Sequence, residues 1–208
     1  MTLIVTSEFD LNRVVAPRLP NAPELYEKRY HDQFADILRL YFNRLDNILG
    51  QLGTLSVPYG AFSSDQDQTA VANTATLMTL NTTDFANGVS IATSKITVTT
   101  AGIYNLQFSI QFKNIGNTQE DPTIWLKING IDLANSATQY TIPARKSAGI
   151  FGYGVASLTF MLDLNANDYV EIYWVPTSTD ITIEHLPASV SPAYPAIPSV
   201  IACMLQVA

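Results

Sequence analysis

Side chains that commonly perform catalysis are scarce in this sequence. It contains two histidines, His31 and His185, and one cysteine, Cys203. A zinc site needs three or four His or Cys ligands, which two distant histidines do not supply. A serine nucleophile in a G-x-S-x-G turn is also excluded, because that motif is absent. Cys203 alternates with Met204 in the apolar segment IACMLQV, which predicts a strand and a buried, unreactive thiol.

Acidic pairs and a glycine-rich segment complete the set of candidate sites. Asp65 and Asp67 have carboxylates that calcium prefers, but the glycine and the distal glutamate of an EF-hand loop are missing, so we expect a solvated loop. Glu120 and Asp121 precede a proline, which favours a turn over a glycosidase pair. Residues 149–154, GIFGYG, lack the Lys-Ser/Thr of a phosphate loop, and we expect a flexible connection. These patterns predict a protein that is not an enzyme and has no metal and no cofactor.

The charge distribution disfavours two classes of partner. Charged residues make up 14% of the chain, against a norm of about 25%. Residues 1–52 contain six basic and seven acidic side chains, whereas residues 53–208 contain five basic and eleven acidic ones. Affinity for nucleic acid comes from clustered Lys and Arg, and membrane surfaces are anionic, so we expect neither partner. The N-terminal segment lacks the basic region of a signal peptide, and no apolar run approaches the roughly 18 residues of a membrane span.

The longest regular alternation lies in residues 96–112, ITVTTAGIYNLQFSIQF. In its second half every other side chain is apolar: Tyr104, Leu106, Phe108, Ile110 and Phe112. The side chains between them are polar: Asn105, Gln107, Ser109 and Gln111. A period of two over this length predicts a strand with one face on a core, entered by a turn at Gly102.

Short apolar runs separated by turn residues fill the rest of the chain after residue 60. They predict eight to ten strands and a mainly β fold of the sandwich or jelly-roll type, and Asn129-Gly130 is the strongest hairpin signal. Several strands are apolar on both faces, whereas a strand of a monomer should have one polar face. We therefore expect a neighbouring subunit to cover the second face. The candidate contact residues in this region are Tyr169, Tyr173, Met161 and Met204.

A helix is predicted before the β region. Pro23, Glu24 and Glu27 indicate its start, and we expect it to end near Gly50 or Gly53. Its apolar positions follow alternating spacings of four and three, as in a heptad seam: Phe34, Leu38, Tyr41, Leu45, Ile48 and Leu52. Two explanations of this stripe remain open, namely packing on the chain's own β domain and a short parallel coiled coil with copies of itself. The seam composition does not distinguish two strands from three.

Residues 1–22 form an N-terminal arm in which Pro17 and Pro20 favour extended geometry. The arm is either a loose terminus or an anchor that becomes ordered against a partner. The second explanation is suggested by apolar side chains that are too frequent for a solvated tail: Leu3, Ile4, Val5, Phe9, Val14, Val15 and Leu19. The chain thus divides into an arm (1–22), a helical stalk (23–52), a linker (53–60) and a head (61–208).

Four segments of the head resemble the C1q/TNF-like jelly-roll family. AGIYNLQFSIQF is similar to that family's G-x-Y-x-F strand, and IWLKINGIDL to its L-x-x-N-G hairpin. VASLTFMLDLNANDYVEIYW is similar to its L-x-L-x-x-G-D-x-V stretch, with Asn167 in place of the glycine, and VIACMLQVA to its closing strand. The resemblance covers about residues 60–208. It implies a jelly-roll head in a homotrimer, preceded by a stalk that is a helix here instead of a collagen repeat.

A second resemblance is to structural proteins of tailed phages, including cyanophages. It rests on PRLPNAPELYEKRYHDQFADILRLYFNRLDN followed by YGAFSSDQDQTAVANTA. It implies a non-enzymatic virion component, such as a capsid decoration, tail fibre or knob, that is assembled in the host cytoplasm and docks to other virion proteins. The alternative is an adhesin knob that binds a host receptor or glycan through the SSDQDQ loop and residues 187–198. A hydrolase of host polysaccharide is a third alternative.

Overall fold

A computed structural model describes residues 17–21, 24–25, 27–53 and 57–208, and the chain divides into two units, Met1–Ser56 and Val57–Ala208. The first unit contains the helix α1 (Lys28–Gly53). The backbone N–H groups of Tyr30 and His31 donate to the carbonyl oxygen of Glu27 at 3.1 and 3.3 Å, while Glu24 and the residue after it form a bend. The helix therefore begins five residues later than Pro23, and its predicted end at Gly53 is confirmed.

The apolar stripe of α1 lies on one side of the helix. Phe34, Leu38, Tyr41 and Leu45 are half-buried, whereas most other helix residues are exposed. The side chains of Ile48 and Leu52, and the arm residues before Pro17, lie outside the described part of the chain. Residues 17–21 run beside α1, where the Tyr30 hydroxyl donates to the carbonyl oxygen of Pro20 at 3.5 Å. The helix is thus confirmed, and the coiled coil stays a prediction.

The described residues of the second unit form antiparallel strands, so the mainly β fold is confirmed. In chain order the strands are β1 (Tyr59–Ser64), β2 (Gln68–Thr69), β3 (Thr76–Leu77), β4 (Thr82–Asn87), β5 (Val89–Ala92), β6 (Lys95–Val98), β7 (Gly102–Asn114), β8 (Thr123–Ile128), β9 (Ile131–Asp132), β10 (Thr138–Gln139), β11 (Gly152–Leu164), β12 (Tyr169–Val175), β13 (Ile181–Ile183), β14 (Ser189–Val190), β15 (Ala193–Tyr194) and β16 (Val200–Gln206).

Two large sheets contain most of these strands. The first sheet is centred on β7, which pairs with the whole of β11 on one side and with β16 and β13 on the other. From β16 this sheet continues to β1 and β4, and from β13 to β2. The second sheet has the order β10-β8-β12-β6-β5, with β3 beside β12 and β9 beside β8. Residues 96–112 therefore belong to two strands of different sheets, β6 and β7, and the predicted strand after the turn at Gly102 is β7.

One hydrophobic core cluster joins residues of both sheets. The five apolar side chains of β7 that the alternation directs inward are each at most 3% exposed, which confirms that prediction. Their counterparts in the second sheet are also buried: Ile124, Leu126, Val170, Ile172 and Trp174. The rings of Phe112 and Trp174 meet with their centres 5.9 Å apart. This packing fixes which face of β7 points away from the core.

Two turn predictions have different outcomes. Asn129 and Gly130 have φ angles of 53° and 78° and connect β8 to β9, so the predicted hairpin is confirmed. The flexible connection expected at residues 149–154 is wrong for residues 152–154, which are the first three residues of β11, whereas residues 149–151 precede the strand. A Cβ atom on Gly152 would lie only 1.9 Å from the carbonyl oxygen of Pro143. The glycine is therefore needed where another segment of backbone approaches the strand.

Candidate functional site

The outer face of the first sheet combines exposed apolar side chains with a polar, uncharged centre. We call the outward side of β11, β7 and β16 the β7 face. The pairing register arranges its side chains in rows that cross the three strands, with a β7 residue at the centre of each row. In order along β7, three of these rows are Met161–Asn105–Leu205, Thr159–Gln107–Cys203 and Ser157–Ser109–Ile201.

Large apolar side chains are exposed on both flanks of the β7 face. Between 39% and 60% of each of the following residues is exposed: Tyr153, Val155 and Met161 on β11, and Ile201 and Leu205 on β16. Further along the same sheet, the exposed rings of Tyr59 and Phe85 contact each other with their centres 6.0 Å apart. Exposed apolar side chains that cluster in this way commonly mark a surface that another molecule covers.

The centre of the β7 face is polar but uncharged. From Asn105 to Gln111 the outward side chains of β7 are amides and one hydroxyl. The next outward residue, Lys113, is hydrogen-bonded to Glu184, and this bond raises the pKa of the lysine. Its ammonium group also lies 4.6 Å from the ring centre of Phe151. The Oδ1 atom of Asn105 is buried and accepts no hydrogen bond from the described residues.

The outward position of Cys203 shows that the prediction of a buried thiol is wrong. Its neighbours Ala202 and Met204 point into the core, so Cys203 faces outward and is exposed. Partial desolvation raises the pKa of its thiol, and the negative charge of Asp84 adds to this effect. The assignment of Met204 to a contact between subunits is also wrong, since it is 1% exposed and Leu205 occupies the outward position.

The other predicted contact residues do not form one site. Met161 lies on the β7 face, whereas Tyr169 and Tyr173 lie on the outer face of the second sheet. Lys95 and Lys127 hold their ammonium groups 4.2 and 4.5 Å from the ring centres of Tyr169 and Tyr173, respectively. Because each tyrosine ring contacts a lysine of its own chain, these rings are less available to another subunit.

The β7 face also contains exposed residues that do not belong to the predicted contact set. Tyr153, Ile201 and Leu205 are exposed beside Met161, yet none of them was among the predicted contacts. For Ile201 and Leu205 the available signal was the unbroken apolar run IACML, which leaves apolar side chains on both faces of β16.

The candidate catalytic and metal-binding groups have internal partners or belong to a different unit of the chain. The carboxylate of Asp67 accepts the backbone N–H of His185 at 2.7 Å, and the carboxylate of Glu120 accepts the Thr118 hydroxyl at 3.0 Å. His31 lies exposed on α1, in the other unit. In the part of the chain that the structure describes, no three His, Cys, Asp or Glu side chains come together to hold a metal ion.

Comparison with the models of known protein families finds no match, and comparison with curated proteins finds no relative. None of the described helical residues forms a segment long and apolar enough to cross a membrane. The geometry of the β7 face is therefore the main structural evidence about function.

Proposed function

We propose that this protein is a non-enzymatic structural component of a tailed-phage particle, a homotrimer with a C1q/TNF-like jelly-roll head. The observation that carries the proposal is the β7 face, where uncharged and exposed apolar side chains lie on a head with five basic and eleven acidic residues. Acidic copies repel each other least over an uncharged surface, and apolar side chains gain free energy when a copy covers them.

The strand order supports a jelly roll. The strands β6, β7, β8, β11, β12 and β16 alternate between the second and first sheets as the chain proceeds. Greek-key connections in a two-sheet jelly roll produce this alternation. The order β11-β7-β16-β1 in one sheet and β8-β12-β6-β5 in the other is also compatible with the order of the four segments that resemble the C1q/TNF-like family.

Burial of the β7 face alone is a modest source of affinity. Complete burial of a large apolar side chain contributes about 1.5–3 kcal/mol, so a half-exposed one contributes about 1 kcal/mol. Five such residues therefore give about 5 kcal/mol per copy, near the lower end of the roughly 4–15 kcal/mol that association costs. We infer that the stripe of α1 contributes as well, as a short coiled coil between copies.

The virion assignment is supported by the resemblance of the arm and helix to structural proteins of tailed phages. In this proposal the apolar arm residues Leu3 to Leu19 anchor the trimer to other capsid or tail proteins. Leu19, the one anchoring candidate within the described residues, is 41% exposed, so part of its side chain is free to contact a partner.

Two measurements test the proposal. Analytical ultracentrifugation should give a trimer of about 68 kDa from the 22.8 kDa chain. Leu45→Asp, which places three carboxylates in the helical seam, should dissociate it. Asn43→Asp adds the same charge on the opposite, exposed side of α1 and should leave the trimer intact. A monomeric wild-type protein would contradict the homotrimer.

Attachment to the particle is tested by co-sedimentation with particles that lack the protein. Full-length protein should sediment with them, whereas protein without residues 1–21, which include every anchoring candidate, should stay in solution as a folded trimer. Equal sedimentation of the two forms would contradict attachment through the arm. Binding of the isolated head to host cells, without any binding to particles, would favour the adhesin instead.

A further inference from the structure

We propose that a rotation axis relating copies of this chain runs along β7 and that Gln107 is the side chain at this axis. The inference rests on the proposed homotrimer and goes further by naming the residue that meets its own copies. It follows from the central column of the β7 face: Asn105, Gln107, Ser109 and Gln111.

The chemistry of this column is that of a self-complementary surface. At a rotation axis a side chain meets copies of itself, whereas elsewhere in an interface it meets different residues. A carboxylate or an ammonium group at the axis would therefore be repelled by its own copies. An amide has both donors and an acceptor, and a hydroxyl has one donor and two lone pairs, so either group can hydrogen-bond to an identical side chain.

The distribution of charge points to a second copy instead of an unrelated partner. An unrelated partner could match charged residues on this face with opposite charges of its own. A copy of the same chain cannot do so at an axis, and the outward residues of β7 from Asn105 to Gln111 carry no charge. Charge returns only at the ends of the face, at Asp163 on β11 and at Lys113, which is neutralised by Glu184 within its own chain.

The shape of the face favours Gln107 among the four residues. Gln107 is the exposed member of the column, while the other three are half-buried. Its row neighbours, Thr159 and Cys203, are small, whereas the adjacent row contains the larger Met161 and Leu205. Amide groups from neighbouring copies can therefore approach each other at Gln107, and the larger apolar residues surround them and exclude water.

Charge reversal at the axis gives a specific test. Gln107→Glu keeps the size of the side chain and places like charges together, and Gln107→Lys does the same with the opposite sign. Each variant alone should raise the dissociation constant of the trimer at least tenfold. An equimolar mixture of the two variants should associate again, because two of the three contacts at the axis of a mixed trimer join a glutamate to a lysine. Gln66→Glu, the same change at an exposed loop position, is the matched control and should behave as wild type.

The possible outcomes separate this inference from the proposed function. If the wild-type chain is a monomer, the homotrimer fails and the axis fails with it. If the wild type is a trimer and Gln107→Glu associates as tightly as Gln66→Glu, the trimer stands and the axis lies elsewhere. If both Gln107 variants dissociate but their mixture does not recover, with near-ultraviolet circular dichroism of each unchanged, Gln107 does not meet its own copies.

Discussion

Replacement of Gly152 by alanine tests the described glycine at which an added Cβ atom would meet its nearest neighbour at the shortest distance. The new Cβ atom would lie 1.9 Å from the carbonyl oxygen of Pro143 and 3.2 Å from that of Ala144. A rotamer change cannot relieve this overlap, because the first atom is backbone. β11 and the segment that contains Pro143 must therefore move apart by roughly 1 Å or more before the two atoms reach van der Waals distance.

The expected cost is at the upper end of the range for overpacking. Overpacked sites typically cost about 1–3 kcal/mol, and a clash with rigid backbone places Gly152→Ala at about 3 kcal/mol. In a unit the size of Val57–Ala208, each kcal/mol shifts the melting temperature by roughly 2–4 °C. Thermal unfolding followed by circular dichroism should therefore show a decrease of about 6–12 °C.

Gly154→Ala, two residues along the same strand, is the matched control. Its Cβ atom would meet the Cδ1 atom of Ile142 at 2.6 Å, but this atom is the end of a flexible side chain. We expect a cost of about 1 kcal/mol, partly offset by the smaller conformational entropy of the unfolded alanine chain. If Gly152→Ala destabilises the head no more than Gly154→Ala does, the approach of Pro143 to β11 is not as described.

Two further predictions concern polar contacts of the head. The Tyr140 hydroxyl donates to the carbonyl oxygen of Ser157 at 3.0 Å and accepts its N–H at 3.2 Å, in the middle of the edge strand β11. Tyr140→Phe should therefore accelerate hydrogen exchange of the Ser157 amide and promote edge-to-edge aggregation. The control Tyr153→Phe should do neither. Unchanged exchange of the Ser157 amide in Tyr140→Phe would contradict the protective role of the Tyr140 hydroxyl. Asp168 has a lowered pKa, chiefly because the Asn129 side chain donates to it. The contribution of its carboxylate to stability should be complete above about pH 4 and be lost as the pH falls further. The difference in unfolding free energy between wild type and Asp168→Asn should therefore shrink on acidification. A difference that stays constant with pH would contradict this contribution.

Much of the fold could be predicted because several segments admit only one arrangement. The alternation in β7 places apolar residues on one side and amides on the other, so its inward face is unambiguous. Asn129 and Gly130 both tolerate positive φ, and the hairpin between β8 and β9 requires it. Residues 149–154 gave no comparable signal, because the need for glycine at Gly152 comes from the carbonyl oxygen of Pro143, which only the tertiary structure brings near.

The candidate site was predicted only in part, and one strand explains why. In β16 the segment VIACMLQ has apolar or weakly polar side chains at nearly every position, so hydrophobic patterning cannot determine which residues face inward. Side chains of a strand alternate between its two faces, so an assignment that is wrong by one residue exchanges the faces, and this single error explains both Cys203 and Met204. Pairing with β7 determines the correct assignment, since Met204 stands opposite the buried Leu106 and Cys203 opposite the outward Gln107. The clear alternation in β7 therefore determines which side chains of β16 face outward, and it places Cys203 beside the proposed axis.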